Sequence, residues 1–389
     1  MTETRPNYSK GLAGVIADET ALCLVQGEQG RLYYCGHSID DLAQREFDEV
    51  AHLMLYGELP DARALATYRA ELAAAYTLPE HVRAVIAALP TDRHPMEVLQ
   101  ATLPLLGTIR AAEVETERVA KSDEKITRVL HQERHRADLI RIVGAIPTII
   151  ATFYRQRESL PPVEPDPSLD YLTNFLTMLH GKRPDPEDVR VFGVAEILQM
   201  EHGFNASTFV ARAVASTLAP MHACLAAAVG SLYGKLHGGA DEAAFRMARD
   251  EIGSVARAES YVDELLAKGG KIMGLGHRVY RTIDPRAHIL KRLATDLCAG
   301  KGGDKQEIFE TLTRVEEVIN ARIAAKGKAL YPNVEFYKGP VFHALDIPTD
   351  HFTAMFVLAR GFGWGAHVLE LYDDHRLYRP KAAYVGPMP

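Results

Sequence analysis

The chain has 389 residues, of which 47% are hydrophobic and 24% are charged, and its formal net charge is -7. This length exceeds the usual size of one hydrophobic core, so it predicts two domains, and the composition is that of a soluble globular protein. The acidic balance argues against nucleic-acid binding, which usually requires a basic face, but it leaves room for a local basic pocket that binds a small anion.

The cysteines and the apolar segments bear on the compartment. No two cysteines form a C-x-x-C pair, so we expect reduced thiols of a cytosolic protein and no disulfide framework or zinc site. The N-terminus "MTETRPNYSKG" has no apolar signal core. The longest apolar run, "IVGAIPTIIATF" (142–153), is short for a bilayer span and contains Pro147. We therefore expect a cytoplasmic protein without membrane contact. The four cysteines are Cys23, Cys35, Cys224 and Cys298.

One strand pair is visible near the start of the chain, and helical patterns follow it. "ALCLV" and "RLYYC" flank "QGEQG", whose glycines suit a hairpin turn. Ser38 and Asp41 form a capping box, and the helix "FDEVAHLMLYG" is predicted to end at Gly57. Without strand–helix alternation, the chain reads as all-α with a minor N-terminal β-hairpin. The helical period recurs at Val82, Val85, Ile86 and Leu89, at Leu172, Phe175, Leu176 and Leu179, and at Ile308, Leu312, Val315 and Ile319.

Two Asp-Pro pairs predict helix starts, and one shift in composition predicts a hinge. Asp185-Pro186 and Asp284-Pro285 each place an N-cap residue before a proline at the first helical position. Around residues 220–240, an alanine-rich helix gives way to a glycine-rich turn. We expect the hinge between the domains there.

Three histidines stand beside glycine: His202 in "EHGFNAST", His237 in "YGKLHGGADEA" and His277 in "KIMGLGHRVYRTIDPRA". Glycine lets the backbone turn tightly and lets a ligand approach closely, so these histidines are candidates for a binding or catalytic site. For any one of them, a capping role at a helix end is about equally plausible. That structural interpretation is weaker for three together.

Two further patterns predict no site. "GLGHRV" lacks the third glycine of a dinucleotide-binding fingerprint, because Val279 stands in its place. "HQERH" (131–135) spaces two histidines four apart, but Glu133 is misplaced for a zinc-protease motif. No third ligand accompanies the pair, so we interpret this stretch as a solvated helix face and predict no metal.

The stretch "ARGFGWGAHVLEL" (359–371) places Gly361, Gly363 and Gly365 in an apolar helical pattern. Each glycine costs a helix about 1 kcal/mol relative to alanine, so we expect them to allow close helix–helix packing, within the chain or at a subunit interface. Arg360, which precedes them, needs an anion if it is buried.

Taken together, "YGKLHGGADEA", "MGLGHRVYRTIDPRA" and "PNVEFYKGPVFHALDIP" resemble the citrate synthase family. The similarity extends from "GLAGV" (11–15) through "YGELP" (56–60) to "YRPKAAYVGP" (378–387), with the motifs in family order. It implies a helical homodimer of the compact dimeric form, without metal or prosthetic group. Its large domain would comprise residues 1–222 and 335–389, the latter with dimer contacts, and residues 223–334 would form a mobile CoA-binding domain. The activity implied is condensation of acetyl-CoA with oxaloacetate, followed by thioester hydrolysis.

The resemblance also implies roles for the histidines and for one acid. His237 matches the residue that hydrogen-bonds the thioester oxygen, His277 the one that polarises the ketone of oxaloacetate, and His202 a further oxaloacetate ligand. A neutral imidazole would suit the weakly acidic enol, so we expect His237 to be buried and uncharged. Glu335 matches the base, and its aromatic neighbours would raise its basicity by partial desolvation.

The cations are assigned in the same way. Arg286 and Arg360 match arginines that hold the oxaloacetate carboxylates, and Arg379 matches one supplied by the partner subunit. Planar guanidinium groups suit this dianion because they bind carboxylates bidentately. Arg281 matches a basic residue that reaches the coenzyme phosphates. The loop matching the adenine-recognition segment contains Met273, Gly274, Leu275 and Gly276.

One departure from the family leaves alternatives open. The family's base is an aspartate, whereas this chain has Glu335, and the added methylene displaces the carboxylate by more than about 1 Å unless the backbone compensates. Besides citrate synthase, the sequence is compatible with 2-methylcitrate synthase, which uses propionyl-CoA. A weakly active or non-catalytic homologue that binds oxaloacetate and CoA is a third possibility. Release of CoA thiol from either acyl donor distinguishes the three.

Overall fold

The computed structural model describes residues 9–110, 124–277, 279–324 and 329–387. Helices dominate these ranges, as the sequence predicted. The predicted hairpin is confirmed as β1 (Cys23–Gln26) and β2 (Arg31–Tyr34), which pair antiparallel. A third strand, β3 (His37–Ser38), pairs with β2 and was not predicted. Two residues are too few to show a strand's alternating pattern.

The helices follow the sheet in chain order. The first eight are α1 (Ile39–Leu42), α2 (Phe47–Tyr56), α3 (Ala62–Ala74), α4 (Glu80–Ala88), α5 (Pro95–Thr102), α6 (Glu124–Arg157), α7 (Tyr171–His180) and α8 (Pro186–Met200). The others are α9 (Ala206–Ala215), α10 (Met221–Leu232), α11 (Ala240–Arg246), α12 (Ala258–Ala267), α13 (Pro285–Lys301), α14 (Gly303–Ala324), α15 (Val334–Ala344) and α16 (Phe352–Asp373).

Local side-chain chemistry sets several helix ends, as the sequence predicted. The Ser38 hydroxyl accepts the Asp41 backbone N–H at 3.2 Å and caps α1. Gly57 closes α2 with a left-handed backbone at φ 79°. Asp185 and Asp284 each accept a backbone N–H in the first turn of α8 and α13. The Asp284 cap is also a functional landmark, because α13 carries one of the candidate arginines.

Helix α16 forms the centre of the core and packs against α6, α8 and α9. A Cβ on Gly365 would overlap the Leu139 side chain of α6, and one on Gly363 would overlap the carbonyl oxygen of Met200. A Cβ on Gly361 would lie 3.3 Å from the side chains of Val143 and Ile146 of α6, which is a tight contact. Close helix packing within the chain therefore explains why glycines occupy these positions of α16. The same packing fixes the end of α8, and His202 lies two residues beyond that end.

Helix α6 contains the most apolar segment. Of the helices described, only its stretch Gln132–Arg157 has the length and apolar composition of a membrane span. The helix is longer than the apolar run suggested, because Pro147 lies inside it without ending it. However, 78% of its most apolar window is buried inside the protein. Packing against the rest of the fold thus accounts for its composition.

The domain boundaries remain a prediction. Helix α15, which begins at the proposed boundary after residue 334, packs most extensively against α13 and then against α11. It also contacts α8. The helix that carries Glu335 therefore bridges the two regions that the sequence assigned to different domains.

Replacing Gly363 with alanine should destabilise the protein by about 1–3 kcal/mol, because the new methyl group has no space beside the Met200 carbonyl. Gly193 is a matched control inside α8, where a Cβ would lie 3.6 Å from the Leu172 side chain. Alanine there should be neutral or stabilising by up to about 1 kcal/mol. Urea unfolding followed by the fluorescence of the only tryptophan, Trp364, measures both changes. Equal stability of the two variants would contradict the packing argument.

Candidate functional site

Two of the predicted histidines lie side by side. The ring centroids of His202, which follows α8, and His277 are 5.4 Å apart. His202 Nε2 is 3.2 Å from the hydroxyl of Tyr280, a site residue that the sequence did not predict. Burial, with Arg286 as a second cause, lowers the pKa of both rings. Both histidines are therefore neutral near pH 7.

The tautomer of His277 follows from its backbone contacts. Its Nδ1 accepts the N–H of Val279 at 3.0 Å and the N–H of Tyr280 at 3.1 Å. A backbone N–H can only donate, so Nδ1 carries no proton and Nε2 does. His277 can thus donate a hydrogen bond from Nε2 to a ligand oxygen.

His237 lies in the turn after α10 and has the opposite tautomer. Its Nε2 accepts the backbone N–H of Ser207 at 3.3 Å and lies 2.8 Å from the Ser207 hydroxyl. That hydroxyl in turn accepts Trp364 Nε1–H at 3.1 Å. The proton of His237 is therefore on Nδ1. Burial, aided by Arg360 and Lys338, lowers the pKa of His237 to about 4, in agreement with the neutral ring expected.

Arg286 is buried and already has a carboxylate partner. Its Nε donates to Asp284 Oδ1 at 3.0 Å, and its Nη2 donates to Asp284 Oδ2 at 2.8 Å. Although burial alone would lower its pKa, Asp284 raises it, so the guanidinium stays charged. The sequence identified Asp284 only as a helix cap. Asp284 occupies the Nε edge of Arg286, so a ligand carboxylate would be bound at the other edge, through Nη1 and the second N–H of Nη2.

Arg360 is buried in a different state. Only 1% of its surface is exposed, and its Nε donates to the backbone oxygen of Gln199 at 2.7 Å. Among the residues that the structure describes, no carboxylate lies within 4.0 Å of its nitrogens. Burial lowers its pKa, and Glu201 opposes that shift from a greater distance. Its Nη1 and Nη2 are therefore available to an anion, as the sequence predicted for this cation.

Glu335 is held at the start of α15 by a short ribbon of hydrogen bonds. Asn333 accepts the Glu335 N–H at 3.1 Å and caps the helix. The Asn333 N–H donates to Gly274 O at 3.0 Å, and its side-chain amide donates to Gly276 O at 3.1 Å. The loop 273–276, which leads into His277, is thereby fixed against the segment that carries Glu335.

Glu335 is half-buried, and its negative charge favours a higher pKa for both His277 and Arg286. It therefore lies within electrostatic reach of both residues. Its aromatic neighbours point elsewhere, since consecutive helix residues do not share a face. Phe336 packs on Gly274, where a Cβ would lie 2.9 Å from the ring. The hydroxyl of Tyr337 hydrogen-bonds to Glu316.

The other predicted site residues lie at the edge of this cluster or outside it. Met273 is 38% exposed beside buried Gly274, with Leu275 and Gly276 half-buried. Arg281 is exposed, and its backbone N–H donates to Gly27 O at 3.1 Å, which ties the hairpin turn to this region. Arg379 is exposed on the C-terminal segment and donates only to the adjacent Pro380 oxygen. The chain does not bring Arg379 to its own site.

Lys338 is a buried cation that the sequence analysis missed. It is fully buried, with Nζ 2.9 Å from Gln199 Oε1 and 3.9 Å from the centre of the Phe356 ring. Its spacing of three residues after Glu335 was a usable signal, because residues one helical turn apart share a face. Ser207 and Trp364 carried no comparable signal.

Metal ligands and cysteine pairs were also considered in the sequence. Within the described ranges, no three His, Cys, Asp or Glu side chains are grouped as metal ligands. In "HQERH", the His135 ring packs 4.6 Å from that of Tyr372, and the side chain of His131 lies outside the described residues. The four cysteines are free thiols.

Removing the charge of Lys338 should raise the pKa of His237 above its value of about 4, because the buried ammonium disfavours the imidazolium. NMR titration of histidine-labelled Lys338→Met measures this, with the His237 signals assigned from a His237→Gln variant. Lys305→Met is the matched control, since that ammonium contacts Ala344 O at the far end of α15. The same His237 pKa in both variants would contradict the electrostatic argument.

Comparison with known proteins identifies the family. The profile described as "Citrate synthase, C-terminal domain" matches residues 11–381. A citrate synthase of Synechocystis sp. is 41% identical over 380 residues, covering 97% of this chain and 91% of the relative. A 2-methylcitrate synthase of Shewanella oneidensis is 37% identical over 391 residues, covering 100% of this chain and 98% of the relative.

Solved structures agree with this assignment. A Thermoplasma acidophilum citrate synthase, in ternary complex with carboxymethyl coenzyme A and oxaloacetate, superposes with a TM-score of 0.87 at 31% identity. The alignment covers 98% of this chain and 97% of that one. With the helical fold, the buried arginines and the neutral histidines in place, the chain belongs to the citrate synthase family.

Proposed function

We propose that the protein is a citrate synthase, an acyltransferase that condenses acetyl-CoA with oxaloacetate to give citrate and CoA. The observation that carries the proposal is Arg360, a buried guanidinium without a carboxylate partner among the described residues, beside neutral His202 and His237. Burying such a cation is costly unless an anion completes its coordination. A small dianion such as oxaloacetate supplies that charge.

Oxaloacetate binding uses the cations that the cluster presents. Arg360 binds one carboxylate through its free nitrogens, and Arg286 contributes its Nη1–Nη2 edge because Asp284 occupies its Nε edge. His202 adds a hydrogen bond, and the partner subunit's Arg379 completes the coordination of the dianion. His277 donates from Nε2 to the ketone oxygen, so charge developing there is stabilised by a preorganised donor.

Glu335 and His237 activate the acyl donor. Glu335 takes a proton from the methyl carbon of acetyl-CoA, while His237 donates from Nδ1 to the thioester oxygen as it gains charge. The resulting enolate or enol carbon attacks the oxaloacetate ketone, whose oxygen takes up one proton in exchange for the one that Glu335 removed, and citryl-CoA forms. Water then cleaves the thioester, giving citrate and the CoA thiol. Each ring has the tautomer that this step requires.

Coenzyme binding and assembly complete the proposal. The loop of Met273, Gly274, Leu275 and Gly276 would contact the adenine, and exposed Arg281 would reach the phosphates. Closure of a small domain, residues 223–334, over a large domain would exclude water that could reprotonate the enolate. The enzyme would act as a cytoplasmic homodimer in the tricarboxylic acid cycle, with acetyl-CoA consumed as substrate and no resident cofactor.

A thiol-release assay with purified protein and oxaloacetate tests the function directly. Acetyl-CoA should be turned over at least roughly tenfold faster than propionyl-CoA, because Glu335 extends one methylene further than aspartate and reduces the space at the acyl methyl. Faster turnover of propionyl-CoA would instead favour the 2-methylcitrate synthase activity of the Shewanella relative. No thiol release from either donor would favour the third possibility, a non-catalytic homologue that binds oxaloacetate and CoA.

Variants of Glu335 test the base. Glu335→Gln should lower kcat by roughly a hundredfold or more, because the amide cannot accept the methyl proton. Glu335→Asp restores the aspartate that the family uses as its base, so its kcat should stay within about tenfold of the wild type. Full activity of Glu335→Gln would exclude Glu335 as the base. An inactive Glu335→Asp would show a site adapted to the longer side chain.

A further inference from the structure

Both ends of the described chain meet at one buried arginine. Arg212 of α9 is 2% exposed, and each part of its guanidinium has a partner. Its Nη2 is 2.7 Å from Asp18 Oδ2, its Nη1 is 2.7 Å from Glu370 Oε2, and its Nε donates to the Tyr378 hydroxyl at 3.0 Å. The guanidinium also lies 4.6 Å from the centre of the Phe204 ring.

Tyr378 is fixed in orientation by this arrangement. Its hydroxyl accepts from Arg212 and donates to Asp18 Oδ2 at 2.6 Å, while its ring stacks on Phe209 at 6.1 Å. In the described part of the chain, Tyr378 is the last residue with a hydrogen bond to the body of the fold. Beyond it, the exposed segment makes only local bonds, such as that from Tyr384 to Pro387 O. The orientation of Tyr378 therefore sets the direction in which residue 379 leaves the body.

The other side of Arg212 connects to the active site of its own chain. Glu370 also accepts the Ala21 N–H at 2.8 Å and lies 3.6 Å from His367 Nδ1. His367 Nε2 is 3.0 Å from Glu201 Oε1, and both side chains are fully buried. Glu201 immediately precedes His202. The anchor of the C-terminal segment is thus built on the same rigid frame as the oxaloacetate site.

We propose that Asp18, Arg212 and Tyr378 form a clamp that positions Arg379 for the active site of a second copy of the chain. The inference rests on the proposed function, in which Arg379 binds oxaloacetate across the subunit interface. Arg379 lies outside its own cluster and one residue beyond the clamp, where it is exposed. A guanidinium on an unanchored segment would lose more conformational entropy on binding the dianion than one whose backbone is already held.

Tyr378→Phe tests the clamp with little disturbance, because it keeps the ring on Phe209 and removes only the hydroxyl. KM for oxaloacetate should rise about 5- to 20-fold, with KM for acetyl-CoA and kcat changed less than threefold. Tyr384→Phe is the matched control, since it removes a hydroxyl that bonds only within the exposed segment. Equal oxaloacetate KM values in the two variants would overturn the proposal.

Mixed dimers, made by co-expression with two affinity tags, distinguish a role across the interface from a general structural one. One subunit carries Glu335→Gln and the other carries Arg379→Ala. The only complete active site then has Glu335 from the Arg379→Ala subunit and Arg379 from the Glu335→Gln subunit. Adding Tyr378→Phe to the Glu335→Gln subunit should raise KM for oxaloacetate, whereas adding it to the other should not. The reverse result, an equal effect, or an inactive parent mixed dimer would overturn the clamp.

Failure of the proposed function is recognised separately. If the wild-type protein released no thiol from acetyl-CoA, the synthase activity would be excluded, but oxaloacetate binding would still be measurable by calorimetry. In that assay, Tyr378→Phe should weaken oxaloacetate binding about 5- to 20-fold relative to Tyr384→Phe. Unchanged affinity would overturn the clamp whatever the activity.

Discussion

The burial of Arg360 is the constraint on which the rest of the site depends. A guanidinium removed from water loses a large hydration energy, and the nearest compensation here is a backbone carbonyl and the more distant Glu201. Burial lowers the pKa of both His202 and His237, and the charge of Arg360 adds to each shift, so both rings stay neutral. A pocket with excess positive charge and neutral hydrogen-bond donors is suited to a small dianion and to an oxyanion that forms beside it.

The second requirement is that the candidate base, Glu335, lies close to His277, the candidate donor to the ketone. Asn333 meets it by bonding the backbone of the loop before His277 while capping the helix of Glu335. The loop before His277 and the helix of Glu335 are therefore joined directly, which keeps the candidate base close to the donor for the ketone. His277 is fixed further by two backbone N–H groups on one ring nitrogen, which leaves its other nitrogen as the donor. Preorganisation of this kind costs no rearrangement during the reaction.

Patterns with a local cause were predictable from the sequence, and contacts between distant segments were not. The Ser38 cap, the end of α2 at Gly57 and the hairpin arise from neighbouring residues, and each is present. The close packing at Gly363 was also foreseeable, because glycine in an apolar helix needs a reason. The link from Ser207 to His237 spans thirty residues, so no spacing rule could reveal it.

Asp284 shows how a correct local interpretation can conceal a functional one. The Asp-Pro pair identified the cap of α13, and the cap is present. The same carboxylate also accepts two hydrogen bonds from one edge of the Arg286 guanidinium. That contact keeps the guanidinium charged and leaves its Nη1–Nη2 edge for a ligand. A bound dianion must then obtain the rest of its coordination elsewhere. Each carboxylate offers about four lone-pair sites, so a dianion bound at one edge of Arg286 and one edge of Arg360 still has acceptor sites for a third cation. That is the position that the C-terminal arginine of a second subunit could fill.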